Sequence, residues 1–180
     1  LPQAKAKRLD YRVKVADGVP PRVRGDVGHL RQILLNLAGN AVKFTDHGRV
    51  EIRVSVVQAD TSGAVRLRFD ILDTGIGVAP AMLARLFDAF EQADVSMARR
   101  HEGTRLGTTI AKGLVEAMDG DIGYLENPPR GSHFWVELPF APPQPQVPGA
   151  VPSLTGDDDA GPGGNVIAFA DPFLRHRARV

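Results

Sequence analysis

The chain contains no cysteine. Disulfide staples, thiolate nucleophiles and cysteine-held metal centres are therefore excluded. It also lacks any apolar run near the roughly 20 residues a membrane-spanning helix needs, and no basic-then-apolar leader opens it. Excess charge of one sign is missing too: 22 Lys and Arg face 21 Asp and Glu, a formal net charge of +1. Binding nucleic acid through bulk charge needs a basic surplus on one face, so that class drops out. One small anionic ligand remains compatible with the balance. What is present is 180 residues, 43% hydrophobic and 24% charged, the mixture of a soluble globular domain.

Proline and glycine are unevenly spread. Residues 142–164 hold six of the fourteen prolines, five glycines and the acidic run Asp157-Asp158-Asp159. Few side chains there can fill a core, so 141–164 reads as a linker. Residues 165–180 turn apolar and basic again, through Val166-Ile167-Ala168-Phe169 and then Arg175, Arg177 and Arg179. They read as a spacer leading to another module, which puts the folded unit at 1–140.

Within that unit Tyr11, Val13 and Val15 alternate with Arg12 and Lys14, the period of a half-buried strand. Val50, Ile52, Val54 and Val56 share one face, and Val65, Leu67, Phe69 and Ile71 do the same. The polar connector 58–63 makes these two strands antiparallel neighbours. A second hairpin, 122–125 with 134–138, surrounds Asn127-Pro128-Pro129-Arg130-Gly131. Helices fit 26–44, 79–87 and 108–118, with Asp26 as N-cap of the first and Pro80 near the start of the second. This order predicts an α+β fold, a mixed and largely antiparallel sheet covered on one face by helices.

The first helix carries an unusual polar stripe. At about 100° per residue, Asn36, Asn40 and Lys43 fall on one face with Gln32 and His29, opposite Leu30, Leu34, Leu37 and Ala41. A solvated face explains such a stripe in part, but exposed helix surfaces favour Lys, Glu and Gln over the poor helix former Asn. Side-chain amide oxygens on such a face can ligate Mg²⁺, a hard ion that takes water and phosphate as its other ligands. Lys43 can meet a phosphate as a point charge.

Two glycine loops each open a helix. The first is Asp73-Thr74-Gly75-Ile76-Gly77-Val78-Ala79-Pro80, following a strand. Its glycines permit close backbone approach to a ligand, and Asp73 can accept a hydrogen bond from an exocyclic amine such as that of adenine. A nicotinamide-type loop is disfavoured. The third glycine is lacking, and the preceding strand belongs to an antiparallel hairpin instead of a parallel unit. The second loop is Gly103-Thr104-Arg105-Leu106-Gly107-Thr108. Between the two lie about 15 residues without clear periodicity, the length of a functional lid, with Phe87 and Phe90 at its hinge or in the core.

Together these residues resemble the catalytic, ATP-binding domain of sensor histidine kinases, which shares the Bergerat fold with Hsp90, type II topoisomerase and MutL ATPases. His29-Leu-Arg-Gln-Ile-Leu-Leu-Asn36-Leu-Ala-Gly-Asn40-Ala-Val-Lys43-Phe44-Thr45 resembles the N box of that family. Asp73-Thr-Gly75-Ile-Gly77 and Gly103-Thr-Arg-Leu-Gly107 resemble its two G boxes, and Leu86-Phe87-Asp-Ala-Phe90 its F box. Gly131-Ser132-His133-Phe134-Trp-Val-Glu-Leu-Pro139 is similar to its last strand. Four motifs in order over residues 8–140 make the likeness specific.

The resemblance implies that Asn40 coordinates Mg²⁺, with Asn36 beside it near the phosphates of ATP. Asn36 occupies the position where related ATPases carry a glutamate base, and an amide cannot take a proton. Lys43 would contact phosphate, Phe44 would pack by the adenine and Asp73 would bind its amino group. Gly75 and Gly77 would let the chain pass the base. Gly103, Thr104, Arg105, Leu106, Gly107 and Thr108 would wrap the phosphates, and Phe87 and Phe90 would relate the lid to a helical domain. That domain, with the phosphoacceptor histidine, is expected upstream, because no histidine here has the right context. The implied partners are ATP and ADP, the protein's own dimerisation and histidine-phosphotransfer domain, and a receiver domain or response regulator. No nucleic acid or membrane contact is implied for this piece, which would be cytoplasmic in a longer protein anchored at the inner membrane. The tail resembles that of hybrid kinases of quorum-sensing type, with a receiver beyond it. The alternatives are a degenerate domain used for docking and an ATP-hydrolysing relative.

Two positions depart from the family pattern. Arg105 stands where glycine is usual. A positive φ there would cost about 1–2 kcal/mol, and the side chain could aid or obstruct the phosphates. Asp119 replaces another glycine at a less critical helix end.

Overall fold

A computed structural model describes residues 2–83, 86–87, 102–143 and 166–169, with Pro2 and residues 102–106 described in backbone only. After a short helix α1 (Pro2–Ala6), the chain forms β1 (Asp10–Val15), β2 (Arg22–Arg24) and the long helix α2 (Val27–Phe44). The hairpin β3 (Arg49–Ala59) and β4 (Val65–Asp73) follows, then a single turn α3 (Pro80–Leu83) and helix α4 (Glu102–Ala117). A second hairpin, β5 (Asp121–Glu126) and β6 (Ser132–Phe140), and a last short strand β7 (Val166–Ala168) complete the described chain.

Five strands form one sheet in the order β1-β3-β4-β6-β5, with β1 parallel to β3 and every other pair antiparallel. The expected mixed sheet with helices on one face is what forms. Alternation along the strands decides which face the helices cover. Val50, Ile52, Val54, Leu67, Phe69, Ile71, Phe134, Val136 and Leu138 all point inward and are buried. They meet Leu30, Ile33, Leu37 and Ala41 of α2 and Ala111 and Val115 of α4 in one core. The other face carries ion pairs instead: Arg68 bonds Asp70 and Glu137, each at 2.9 Å, and lies 4.6 Å from the Trp135 ring centre.

Both ends of α2 are capped. Asp26 accepts a bond from the His29 backbone N–H at 2.8 Å, as its N-cap reading requires. At the other end the Lys7 ammonium donates to the carbonyls of Val42, Lys43 and Thr45 at 2.8–3.1 Å. A cation there satisfies orphan carbonyls and faces the negative end of the helix dipole.

Three expectations change. The helix over 79–87 is only the turn Pro80–Leu83 among the described residues. The third helix begins at Glu102, so the second glycine stretch is its first turns and not a loop. And the fold does not end near Phe140. Beyond the linker, β7 pairs antiparallel with β2, and Ile167 and Phe169 pack on the core. A three-residue apolar stretch after a proline-rich tract has too little periodicity to announce itself as a strand.

Asp119 sits in the left-handed region at φ 53. It follows α4, where Gly120 N–H donates back to Val115 C=O at 2.9 Å, a helix-ending turn that favours glycine at the left-handed position. Asp119→Gly is therefore expected to stabilise the protein by about 1 kcal/mol, read as a rise in thermal midpoint of about 2–4 °C.

Candidate functional site

The middle of the polar stripe of α2, Asn36 and Asn40, faces α4, while Gln32 and Lys43 are exposed. A Cβ built on Gly107 would lie 3.3 Å from Asn40 Nδ2 and 3.9 Å from Asn36 Cβ. Gln32 Nε2 donates to Asn36 Oδ1 at 3.0 Å and turns the amide of Asn36. Asn36 Nδ2 and Asn40 Nδ2 are buried and, among the described residues, have no hydrogen-bond partner. Leaving a buried donor unsatisfied costs about 1–3 kcal/mol, a cost that an acceptor placed between α2 and α4 would remove.

At the end of β4 stands Asp73, only 3% exposed. Its Oδ1 accepts from Gly75 N–H at 2.8 Å and from Ser132 N–H at 3.2 Å. Burial pushes its carboxyl above the ordinary value, and the bonds from Gly75 and Ser132 pull the other way. The loop after it is pressed against the end of α2: Ile76 N–H donates to Phe44 C=O at 3.3 Å. A Cβ on Gly75 would come within 2.3 Å of that same carbonyl oxygen, so the close approach requires glycine. The loop docks on helix backbone.

Between these parts lies a cavity of about 230 Å³, walled by Ala41, Phe44, Ile76, Val78, Met82, Leu86 and Phe134. Asn40, Asp73, Thr108 and Ser132 place polar groups on its lining. An apolar slot with a few convergent polar groups is the usual form of a small-molecule site. Among the described residues no group of three His, Asp or Glu could hold a metal ion by itself. A cation here would therefore need amide oxygen together with ligand phosphate. The orphaned amides and the side-chain-free face of Gly107 fit a phosphate chain with such a cation. The apolar slot with one buried acid fits a flat base carrying an amine.

Asn40, Phe44, Asp73, Gly77 and Thr108 thus meet at one cavity, with Asn36 one turn back along α2. Lys43 is exposed, its ammonium 5.3 Å from the Phe44 ring centre. Phe87 packs edge-on to Phe134, a residue of the cavity wall, at 6.4 Å. Thr108 is buried, and its hydroxyl donates to Leu86 C=O at 3.0 Å, tying α4 to the segment after α3. Phe90 lies outside the described residues, as do the side chains of Thr104, Arg105 and Leu106. The backbone of Gly103 and Arg105 is helical, a conformation open to any residue, so the strain argument against Arg105 does not hold for this arrangement.

Three residues that no sequence motif singled out hold the loop in place. Asn127 Nδ2 donates to Asp73 C=O at 2.7 Å. The Tyr124 hydroxyl accepts from Val78 N–H at 3.3 Å, and its ring stands edge-on to Phe134 at 5.2 Å. Lys7 bonds the carbonyls of Lys43 and Thr45, which flank the Phe44 carbonyl on which the loop rests. Their signals were weak: Asn127 is fully explained by its turn, Tyr124 by strand propensity and Lys7 by exposure.

The geometry has counterparts. The family described as histidine kinase-, DNA gyrase B-, and HSP90-like ATPase matches residues 25–142. The sensory/regulatory protein RpfC of Xanthomonas campestris pv. campestris is 59% identical over 99% of this chain, which corresponds to 25% of RpfC. The signal transduction histidine-protein kinase BarA of Escherichia coli K12 is 44% identical over 73% of this chain and 14% of its own length. The crystal structure of full-length ShkA in complex with AMPPNP superposes with a TM-score of 0.63 at 42% identity, over 79% of this chain and 28% of ShkA. The chain spans a quarter or less of the length of the curated relatives named here.

Proposed function

This chain belongs to the family of histidine kinase-, DNA gyrase B- and HSP90-like ATPases, as the catalytic ATP-binding domain of a sensor histidine kinase, and from that premise we propose how its residues hold nucleotide and what they serve. Asp73 accepts the exocyclic amine of adenine in the apolar slot, with Phe44 packed beside the base. Asn36, Asn40 and Lys43 serve the phosphate end, and Asn40 supplies an oxygen ligand to Mg²⁺. When bound, ATP with Mg²⁺ brings an activated phosphoryl group and a cation that offsets its charge. Asn36 has no proton-accepting group at neutral pH, so the site has no base there to activate water. It is suited to holding the phosphoryl group for transfer, and the acceptor is a histidine on a dimerisation domain outside this chain. The proline-rich tract leads on to a receiver domain, in a longer protein anchored at the inner membrane with this domain on the cytoplasmic side. Among the described residues no helix is long and apolar enough to cross a membrane.

The observation that carries this reading is one cavity lined by the orphaned amide of Asn40 and the buried acid Asp73, with the second orphaned amide, Asn36, one turn back along α2. Calorimetric titration with ATP, with and without Mg²⁺, tests it. One-to-one binding that tightens with Mg²⁺ is expected. In Asn40→Ala the Mg²⁺-dependent gain is expected to shrink about tenfold, the loss of one charge-assisted contact. If the parent chain neither releases heat nor gains thermal stability at saturating ATP·Mg²⁺, the reading is wrong.

A further inference from the structure

A second and larger cavity, of about 430 Å³, lies on the helix-covered side of the sheet near its β1 edge. Tyr11, Val13 and Val15 of β1, Leu34 and Leu35 of α2, and Phe169 line it. The inner-face residues of the edge strand, Tyr11, Val13 and Val15, pack on the core but are only half-buried. Leu35 is 45% exposed at its rim, an apolar cost that a bound segment would remove.

One wall is already made by chain that arrives from beyond the linker. The pairing of β7 with β2 and a bond from Phe169 N–H to Pro21 C=O at 2.9 Å hold that segment down. Phe169 reaches the core, its ring 6.3 Å from that of Phe69. The described residues stop at Phe169, which is itself part of the groove lining. The sequence goes on Ala170-Asp171-Pro172-Phe173-Leu174, so the next two large apolar side chains come within about 13–17 Å of extended chain. Asp171 is the one acid after Phe169, and the cation on the groove lining is Arg31.

We propose that Phe173 and Leu174 of this same chain fill the groove, so that residues 166–174 form a strap clamped to the catalytic domain. The strap sits at the pole away from the nucleotide. β6 starts beside Asp73 and ends where Arg24 bridges Ala141, about 27 Å away at the usual rise of a strand. Whatever follows the strap leaves from that pole and not from a free tether.

The absence of native cysteine makes the test clean. Leu35→Cys with Leu174→Cys, in the whole 180-residue chain under mild oxidation, is expected to form a disulfide within one chain. The control, Leu125→Cys with Leu174→Cys, is expected not to, because exposed Leu125 lies on β5 at the opposite edge of the sheet. In parallel, the double variant Phe173→Ser with Leu174→Ser is expected to lower the thermal midpoint by about 5–10 °C. Equal cross-linking of both pairs overturns the proposal. A disulfide formed only between two chains also overturns it, since the occupant is then a second copy. So does a double-serine variant that melts with the parent, since the groove is then open to another ligand or partner.

Discussion

Asp73→Asn is expected to weaken adenine-nucleotide binding about 10- to 100-fold while the fold stays intact. A hydrogen bond to a charged acceptor is worth about 1.5–3 kcal/mol, which is that range in affinity. The backbone bonds from Gly75 and Ser132 both go to Oδ1. An asparagine keeps that oxygen and its two donors. What it replaces is the second carboxylate oxygen, by an amide that donates where the base amine also donates. The pH dependence follows from burial. Asp73 takes up its proton above the ordinary carboxyl value, so nucleotide affinity of the parent should fall as pH drops through that raised value. The asparagine variant should show no such fall. Stability moves oppositely. With a raised pKa, the folded state binds the proton more tightly than the unfolded state, so this group favours folding at low pH and loses that contribution as pH rises through the folded value. At neutral pH the variant is therefore expected to melt no lower than the parent. Calorimetry across pH, alongside thermal melts of both proteins, checks each part. A variant that binds as tightly as the parent would remove Asp73 from the base-recognition role.

Gly131→Ala should damage fold and site together. Gly131 has φ +135, and its missing Cβ would stand 2.0 Å from the carbonyl oxygen of Asp73 and 3.0 Å from Thr74 Cα. Those neighbours are backbone, so no side-chain rotation relieves the clash. Either the start of β6 or the Asp73 loop must withdraw, and the bonds from Asn127 and Ser132 to Asp73 are lost with it. Left-handed strain of about 1–2 kcal/mol and two hydrogen bonds at about 1 kcal/mol each sum to about 3–4 kcal/mol. For a chain of this size that is a fall in thermal midpoint of about 6–16 °C. Nucleotide affinity should drop in the same variant, because the acid it displaces is the one proposed to meet the base. An alanine variant with parental melting would mean that the hairpin turn yields more easily than its contacts imply.

Much of this was legible before any coordinates. Apolar alternation through Val56 in β3, and along β4 and β6, marks both hairpins and their buried faces, because a half-buried strand leaves a period of two. Asp26 marked the start of α2, since an N-cap is a local bond between neighbours in sequence. Asn36 and Asn40 stood out because asparagine is a poor choice for an exposed helix face. What stayed hidden depends on partners distant in sequence. Lys7 reaches carbonyls more than 30 residues away, and Asn127 reaches a carbonyl 54 residues away. Their local sequence surroundings, a lysine in a polar stretch and an asparagine in a turn, are fully ordinary. The second glycine stretch reads as a loop in the sequence for a related reason. Glycines lower helix propensity, but Arg105 and Leu106 favour it and no proline interrupts, so α4 takes the stretch in.

The pairing of β2 with β7 also orders events in time. Its partners lie about 140 residues apart in sequence, whereas the β3–β4 and β5–β6 hairpins close over short loops. Short-range contacts form early and long-range ones late, because the loop entropy must be spent before the contact rewards it. On a ribosome the difference is larger still. The core sheet, α2 and the acid at the end of β4 can assemble while the linker is still being made. β2 meanwhile waits as a bare edge, a surface on which strands of other chains can pair. During synthesis the five-stranded sheet can therefore form before β7 exists, and pairing of β7 with β2 is the step that ends the exposure of that edge.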